Sequence, residues 1–208
     1  MFSTIKTKGI ILNQYEAKNG ADALFLIYTR ELGRVVVISR GIKKMNSKLA
    51  GHLATFGVVE FNIIGAKDIK QLIGAVLLQS VGDNAAEWII ARDFIRGFVA
   101  LVAVGEERDL VFWDLLEQFL LTLPLSKKFE QVRLFCYLWT ARVLTHFGYM
   151  SHNSLEVDTD TALNKKIVQA LLNPDNELAL SRSELDSLGV ALKNNVERLF
   201  EKEMKVWI

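Results

Sequence analysis

Residues 29–62, TRELGRVVVISRGIKKMNSKLAGHLATFGVVEFN, decide the fold. The stretch reads as a strand end, a tight turn, a second strand, a glycine-punctuated basic connection and the start of another strand. Gly33 and Gly41 flank the apolar run 35–38. Period-2 alternation then sets Arg34, Val36, Ile38 and Arg40 on one side of that strand, with the two arginines at its ends. Six cations, Arg30, Arg34, Arg40, Lys43, Lys44 and Lys48, fall within nineteen residues whose only acid is Glu31. Such a run is commonly no more than a solvated face. Here its order predicts a positive edge that continues from the strand into the connection, a form suited to a phosphate backbone. Arg34, Arg40, Lys43, Lys44 and Lys48 are the candidate nucleic-acid contacts.

Outward from this stretch the chain stays β-rich on both sides. Residues 6–14 (KTKGIILNQ) and 23–29 (ALFLIYT) read as strands joined through a turn at Asn19-Gly20. Residues 56–64 (FGVVEFNII) and 71–79 (QLIGAVLLQ) make a hairpin around 65–68 (GAKD). Five short strands with a long connection between the third and fourth match the five-stranded Greek-key barrel called the OB-fold. The aromatics Tyr15, Phe25, Tyr28, Phe56 and Phe61 fall on these strands, where core packing is the commoner role.

Beyond residue 80 the apolar period changes from 2 to 3.6. Asp83 is placed to cap a helix running to about residue 104, with Trp88, Ala91, Ile95, Phe98 and Val102 on one stripe. Residues 109–123 form a second helix stopped by Pro124. Ser126 caps a third that runs through Phe147 and ends at Gly148. Residues 151–160 are a polar, acidic connection, and 161–172 a short helix ended at Asn173-Pro174. Ser181 and Glu184 form a capping box for a last helix to about residue 205. The second helix, with Phe112, Trp113, Leu115, Leu116, Phe119, Leu120 and Leu121, has little polar face, so it is either central to its domain or covered by something else. The reading is therefore α+β: an OB-fold barrel over 1–80 and an all-helical domain over 81–208.

With 208 residues, half of them apolar, the chain is long enough for one or two packed domains and too hydrophobic for disorder. No uncharged apolar run approaches the roughly 20 residues of a membrane-spanning helix. The first dozen residues lack a signal-peptide pattern, which predicts a cytoplasmic protein. The formal net charge of +1 conceals a division: residues 1–80 hold eleven Lys or Arg against five acids, and residues 81–208 hold fourteen against nineteen. Nets of +6 and −5 make the first part the anion binder.

Catalytic signatures are missing. Neither GxxxxGK[ST] nor GxGxxG occurs, so nucleotide hydrolysis has no support. Cys136 and the dispersed histidines His52, His146 and His152 cannot assemble a structural zinc site, and folding is expected to need no metal or cofactor. Cys136 sits in an apolar helix without an adjacent base, and His146 reads as a helix-end imidazole. Asp158 and Asp160 lack further oxygen ligands for a hard cation. No enzymatic activity is expected.

The stretch that opens this account resembles the amino-terminal domain of the RecO family of recombinational repair proteins. The features that carry the likeness fall on Thr29, Glu31, Gly33, Arg34, Arg40, Gly41, Lys43, Lys44, Ser47, Leu49 and Phe56. The likeness extends over residues 5–80 and more faintly to 144–149 (LTHFGY). It implies single-stranded and double-stranded DNA binding, annealing of complementary strands, and cooperation with RecR and single-stranded-DNA-binding protein in loading RecA. The chain departs from many members in carrying Val36 where they have a further basic residue. It also carries the cysteine-free MSHNSLEVDTDT (150–161) where they have a cysteine-based zinc module. The acidic helical part is expected to hold the tail of single-stranded-DNA-binding protein, with Arg92, Arg96, Arg133 or Arg142 as its cation. Two other readings stand beside the mediator: an RNA-binding OB module, and a protein-interaction adaptor that binds no nucleic acid.

Overall fold

Alternating burial along the segment GRVVVIS is the simplest expression of the fold. Gly33, Val35, Val37 and Ser39 face inward, while Arg34, Val36 and Ile38 are only half-buried. In the computed structural model of the chain, the described residues are 4–18, 20–45, 47–53, 57–65, 69–79, 85–100, 108–122, 129–148, 165–166 and 180–200. Five strands, β1 (Thr4–Glu16), β2 (Ala23–Thr29), β3 (Gly33–Ser39), β4 (Val58–Ile64) and β5 (Ile69–Gln79), form a closed barrel in the order β1-β2-β3-β5-β4. Every pairing is antiparallel except β3 with β5, which run parallel. Closure gives each of these strands a partner on both sides.

The interior is filled by Phe25, Ile27, Val37, Phe61 and Ile63, each at most 1% exposed. The β3–β4 connection contributes too: Ile42 and Leu53 are buried in the same core, with Leu49 packed against it. In β1 the residues Ile10, Ile11 and Leu12 are all buried, against simple alternation. Ile11 faces the core, Leu12 falls at a register shift between Ile11 and Asn13 where a bulge inserts a residue, and Ile10 is paired with Tyr28 on the outward side, where both are buried.

Among the described residues the helices with defined bounds are α1 (Ala85–Ala100), α2 (Leu110–Thr122), α3 (Phe129–His146) and α4 (Arg182–Phe200). The expected caps at Asp83 and Ser126 and nearly all of the expected helix 161–172 lie outside the described residues. Asp109 begins α2 by accepting a hydrogen bond from the Phe112 amide through Oδ1 at 2.8 Å. Gly148 follows α3 with φ +74°, the left-handed conformation that ends helices. The capping box is formed: the Ser181 amide donates to Glu184 Oε2 at 2.7 Å, and the Glu184 amide donates to Ser181 Oγ at 3.3 Å.

Compactness groups the chain into two units, residues 1–83 with 99–117, and residues 84–98 with 118–208. The boundary read near residue 80 separates strands from helices along the chain, whereas compactness adds 99–117 to the barrel. The reason is visible at Tyr28, which is fully buried although its strand position faces outward. Its ring lies edge-on to Phe112 at 5.1 Å and stacked with Trp113 at 6.5 Å. Lys8 Nζ meets Glu117 at 3.1 Å, and the Trp113 indole N–H donates to the same carboxylate. The apolar first turns of α2 thus serve as cover for the barrel wall.

In the second unit Phe119, Phe135 and Trp139 form a ring cluster with centroids 5.3–5.9 Å apart. Leu185, Leu188 and Leu192 give α4 a buried stripe. Among the described residues no helix is long and apolar enough to cross a membrane.

Candidate nucleic-acid interface

The TRELG turn is built to hold β2 against β3. Gly33 has φ +63°, which a side chain would strain. Thr29, 1% exposed, donates its hydroxyl to the Gly33 carbonyl at 3.1 Å and accepts the Leu32 amide at 3.1 Å. Glu31 takes a hydrogen bond from the Thr7 hydroxyl on β1, and the Arg30 amide donates to the Lys8 carbonyl at 3.0 Å. Thr29, Glu31 and Gly33 are therefore scaffold of this turn.

The basic connection is fixed with similar economy. Gly41 has φ +63°, and its amide donates to Asp22 Oδ1 at 2.6 Å. The Lys43 amide donates to the Ala21 carbonyl at 3.1 Å, so the loop lies against the β1–β2 turn. The amides of Lys44 and Ser47 donate to the carbonyls of Gly41 and Lys44, at 3.1 and 2.9 Å. With Ile42 and Leu53 buried and Leu49 packed on the core, Arg40, Lys43, Lys44 and Lys48 are left exposed on an ordered backbone.

Arg34 stands apart from the other four. It is half-buried on β3 opposite Tyr28, six residues from Arg40, a separation of about 20 Å along an extended strand. The two arginines bracket one outer face, as the alternation predicts, without converging on one point. Between them the register aligns Asn13, Leu26 and Val36 in one row and Tyr15, Leu24 and Ile38 in the next.

Sequence reasoning missed Glu16. Its carboxylate, at the end of β1, is hydrogen-bonded and ion-paired to Lys43 Nζ. That bond, followed by the ammonium's charge, holds the Glu16 carboxyl below the usual carboxylate value. No spacing rule links residues 16 and 43, because the pair exists only once the connection folds against the β1–β2 turn.

The cations read in the helical part already have partners of their own. Arg133 donates to Tyr137 Oη at 2.9 Å and to Asp186 at 3.2 Å, and Arg142 lies over the Trp139 ring at 5.0 Å. Arg92 pairs with its neighbour Asp93, and Arg96 is exposed. Cys136 is fully buried, and that burial pushes its thiol far above its ordinary range. Among the described residues no three His, Cys, Asp or Glu side chains gather into a metal-binding group.

Comparison with known proteins bears on the barrel first. Residues 1–81 match the family described as recombination protein O N terminal. A DNA repair protein RecO of Cyanothece sp. is 30% identical over 132 residues, covering 62% of this chain and 45% of that protein. One from Nostoc sp. is 27% identical over 140 residues, covering 66% and 47%, and one from Acaryochloris marina is 28% identical over 118 residues. The matched stretch spans about half the length of these relatives or less.

Proposed function

Since the chain belongs, through its first 81 residues, to the RecO family, we propose that it is a DNA-binding recombination mediator whose barrel is an OB-fold. The strand order β1-β2-β3-β5-β4 with a parallel β3–β5 closure supports the fold assignment. The observation that carries the function is that Arg40, Lys43, Lys44 and Lys48 are all exposed in the connection after β3, which the Lys43 amide ties to the β1–β2 turn. Arg34 supplies a second anchor about 20 Å away, within the reach of a strand crossing one OB-fold.

The mechanism is electrostatic and requires no catalytic residue. Lysine and arginine heads neutralise the phosphates of two strands, lower their mutual repulsion and leave the bases free to pair. Annealing of single strands follows from that screening, and duplex DNA is held through the same phosphates. The family resemblance adds RecR, the tail of single-stranded-DNA-binding protein and, indirectly, RecA as partners. The acidic helical part is assigned to the protein contacts because its net charge repels phosphate.

Anisotropy titration of the full chain with oligo(dT) over a range of salt tests the reading. Five phosphate contacts give a log–log slope of roughly −3.5, and replacing Lys43, Lys44 and Lys48 together by alanine should flatten it by about 2. An unchanged slope would move the site elsewhere. Tighter binding of matched RNA than of DNA would favour an RNA module, and no oligonucleotide binding at moderate salt would favour an adaptor.

A further inference from the structure

We infer that Tyr15 is the base-stacking platform of this interface, an assignment that rests on the strand-binding reading and adds a contact to the base where the cations contact only phosphate. Exposure separates Tyr15 from the other aromatics of the barrel strands. Phe25, Tyr28 and Phe61 are at most 1% exposed, whereas Tyr15 is 49% exposed, the one exposed aromatic among the described barrel residues.

Its position is as specific as its exposure. Antiparallel pairing sets Tyr15 opposite Leu24, and Leu24 opposite Ile38, so the three side chains share one row on the outer face. Ala23 and Phe25, on either side of Leu24, point into the core, which fixes the face to which the row belongs. The half-buried Leu24 and Ile38 continue the apolar surface beside the ring. The basic connection begins just past the row: Arg40, exposed, lies two residues beyond Ile38, and Lys43 is paired to Glu16, the residue that follows Tyr15 at the end of β1.

A large aromatic left half in water at a strand end gains little for the fold. Near the start of a basic connection it offers a flat apolar face of the kind on which nucleobases stack, irrespective of sequence. The tyrosine hydroxyl takes no part, so the assignment predicts tolerance of any ring at this position and intolerance of its loss.

The test compares two oligonucleotides of equal length and charge, oligo(dT) and the same strand with abasic sites in its central positions. The wild-type chain should prefer the base-bearing strand. Tyr15→Ala should weaken binding of that strand by about 5- to 150-fold and leave the abasic strand unaffected. Tyr15→Phe and Tyr15→Trp should keep the preference, and the salt slope should be the same in all of these proteins because no phosphate contact changes. Lys43→Ala with Lys44→Ala should instead weaken both strands alike and flatten the slope. Equal affinity of the wild-type chain for the two strands, or an undiminished preference in Tyr15→Ala, overturns the stacking role while the strand-binding reading stands. Failure of the wild-type chain to bind either strand at moderate salt overturns that reading itself.

Discussion

The Glu16 carboxylate accepts a hydrogen bond from the Lys43 ammonium, joining the last residue of β1 to the basic connection. The glutamate side chain is 82% exposed, so the pair lies in water and does little for stability. Its consequence is for binding. A phosphate that takes Lys43 must displace a carboxylate already there, so the chain holds its own competitor for this cation.

Replacing Glu16 by glutamine should therefore strengthen binding of oligo(dT) several-fold at low salt. It should also steepen the salt slope by up to about 0.7, the value of one further neutralised phosphate. Acid should act the same way in the wild-type chain. Its folded-state pKa is depressed by Lys43, so the pair is intact at neutral pH and is lost only as pH falls through that lowered value. Anisotropy at several salt concentrations checks the variant. Equal slopes for Glu16→Gln and wild type would mean that Lys43 meets no phosphate.

The turn before β3 should behave as scaffold. Thr29→Val removes a buried hydroxyl with two hydrogen bonds and should cost about 1–3 kcal/mol in urea unfolding. Gly33→Ala forces a side chain into the left-handed region and should cost about 1–2 kcal/mol. Both proteins, where folded, should keep the wild-type salt slope. A Thr29→Val protein with wild-type stability and weakened DNA binding would instead make this turn a ligand contact.

Much of this architecture was legible because the deciding segment obeys local rules. Alternation in GRVVVIS, glycines at two positive-φ positions and the Ser181–Glu184 spacing each specify geometry within a few residues. Contacts across long sequence separations were not. Leu12 breaks the alternation of β1 at a bulge against β2, and Ile10 is buried in the outward row it shares with Tyr28. Tyr28 is buried on the outer wall only because α2, more than eighty residues later, covers it. The five cations stand out in the sequence by type and clustering, yet their division into Arg34 at one end of β3 and the others beyond its far end needs the strand's length. The partner of Lys43 needs the closed loop.

Cys136 should be inert in the folded chain. It is fully buried on α3, and removal from water pushes its thiol well above the range in which a thiolate forms at neutral pH. A disulfide-exchange reagent should release less than a tenth of an equivalent of chromophore under native conditions and a full equivalent in denaturant. Rapid native labelling would require frequent opening of the helical unit.

The capping box at the start of α4 ties the helical unit to pH. The Ser181 amide donates to the Glu184 carboxylate, and this bond, ahead of the one from the Ser181 hydroxyl, lowers the Glu184 pKa, with Lys166 Nζ at 3.6 Å adding to the effect. A depressed carboxylate contributes stability that is present above its unfolded-state pKa and disappears as pH falls through its folded-state value. Glu184→Gln keeps an acceptor for the amide and removes the charge, so its unfolding midpoint should respond less to acid than that of the wild type. Ser181→Ala removes the reciprocal acceptor of the Glu184 amide at every pH and should cost about 1 kcal/mol. Urea unfolding followed by far-ultraviolet circular dichroism at neutral and mildly acidic pH separates the two. If Glu184→Gln loses stability with falling pH as steeply as the wild type does, the acid sensitivity of the unit arises from another carboxylate, and the box contributes only its hydrogen bonds.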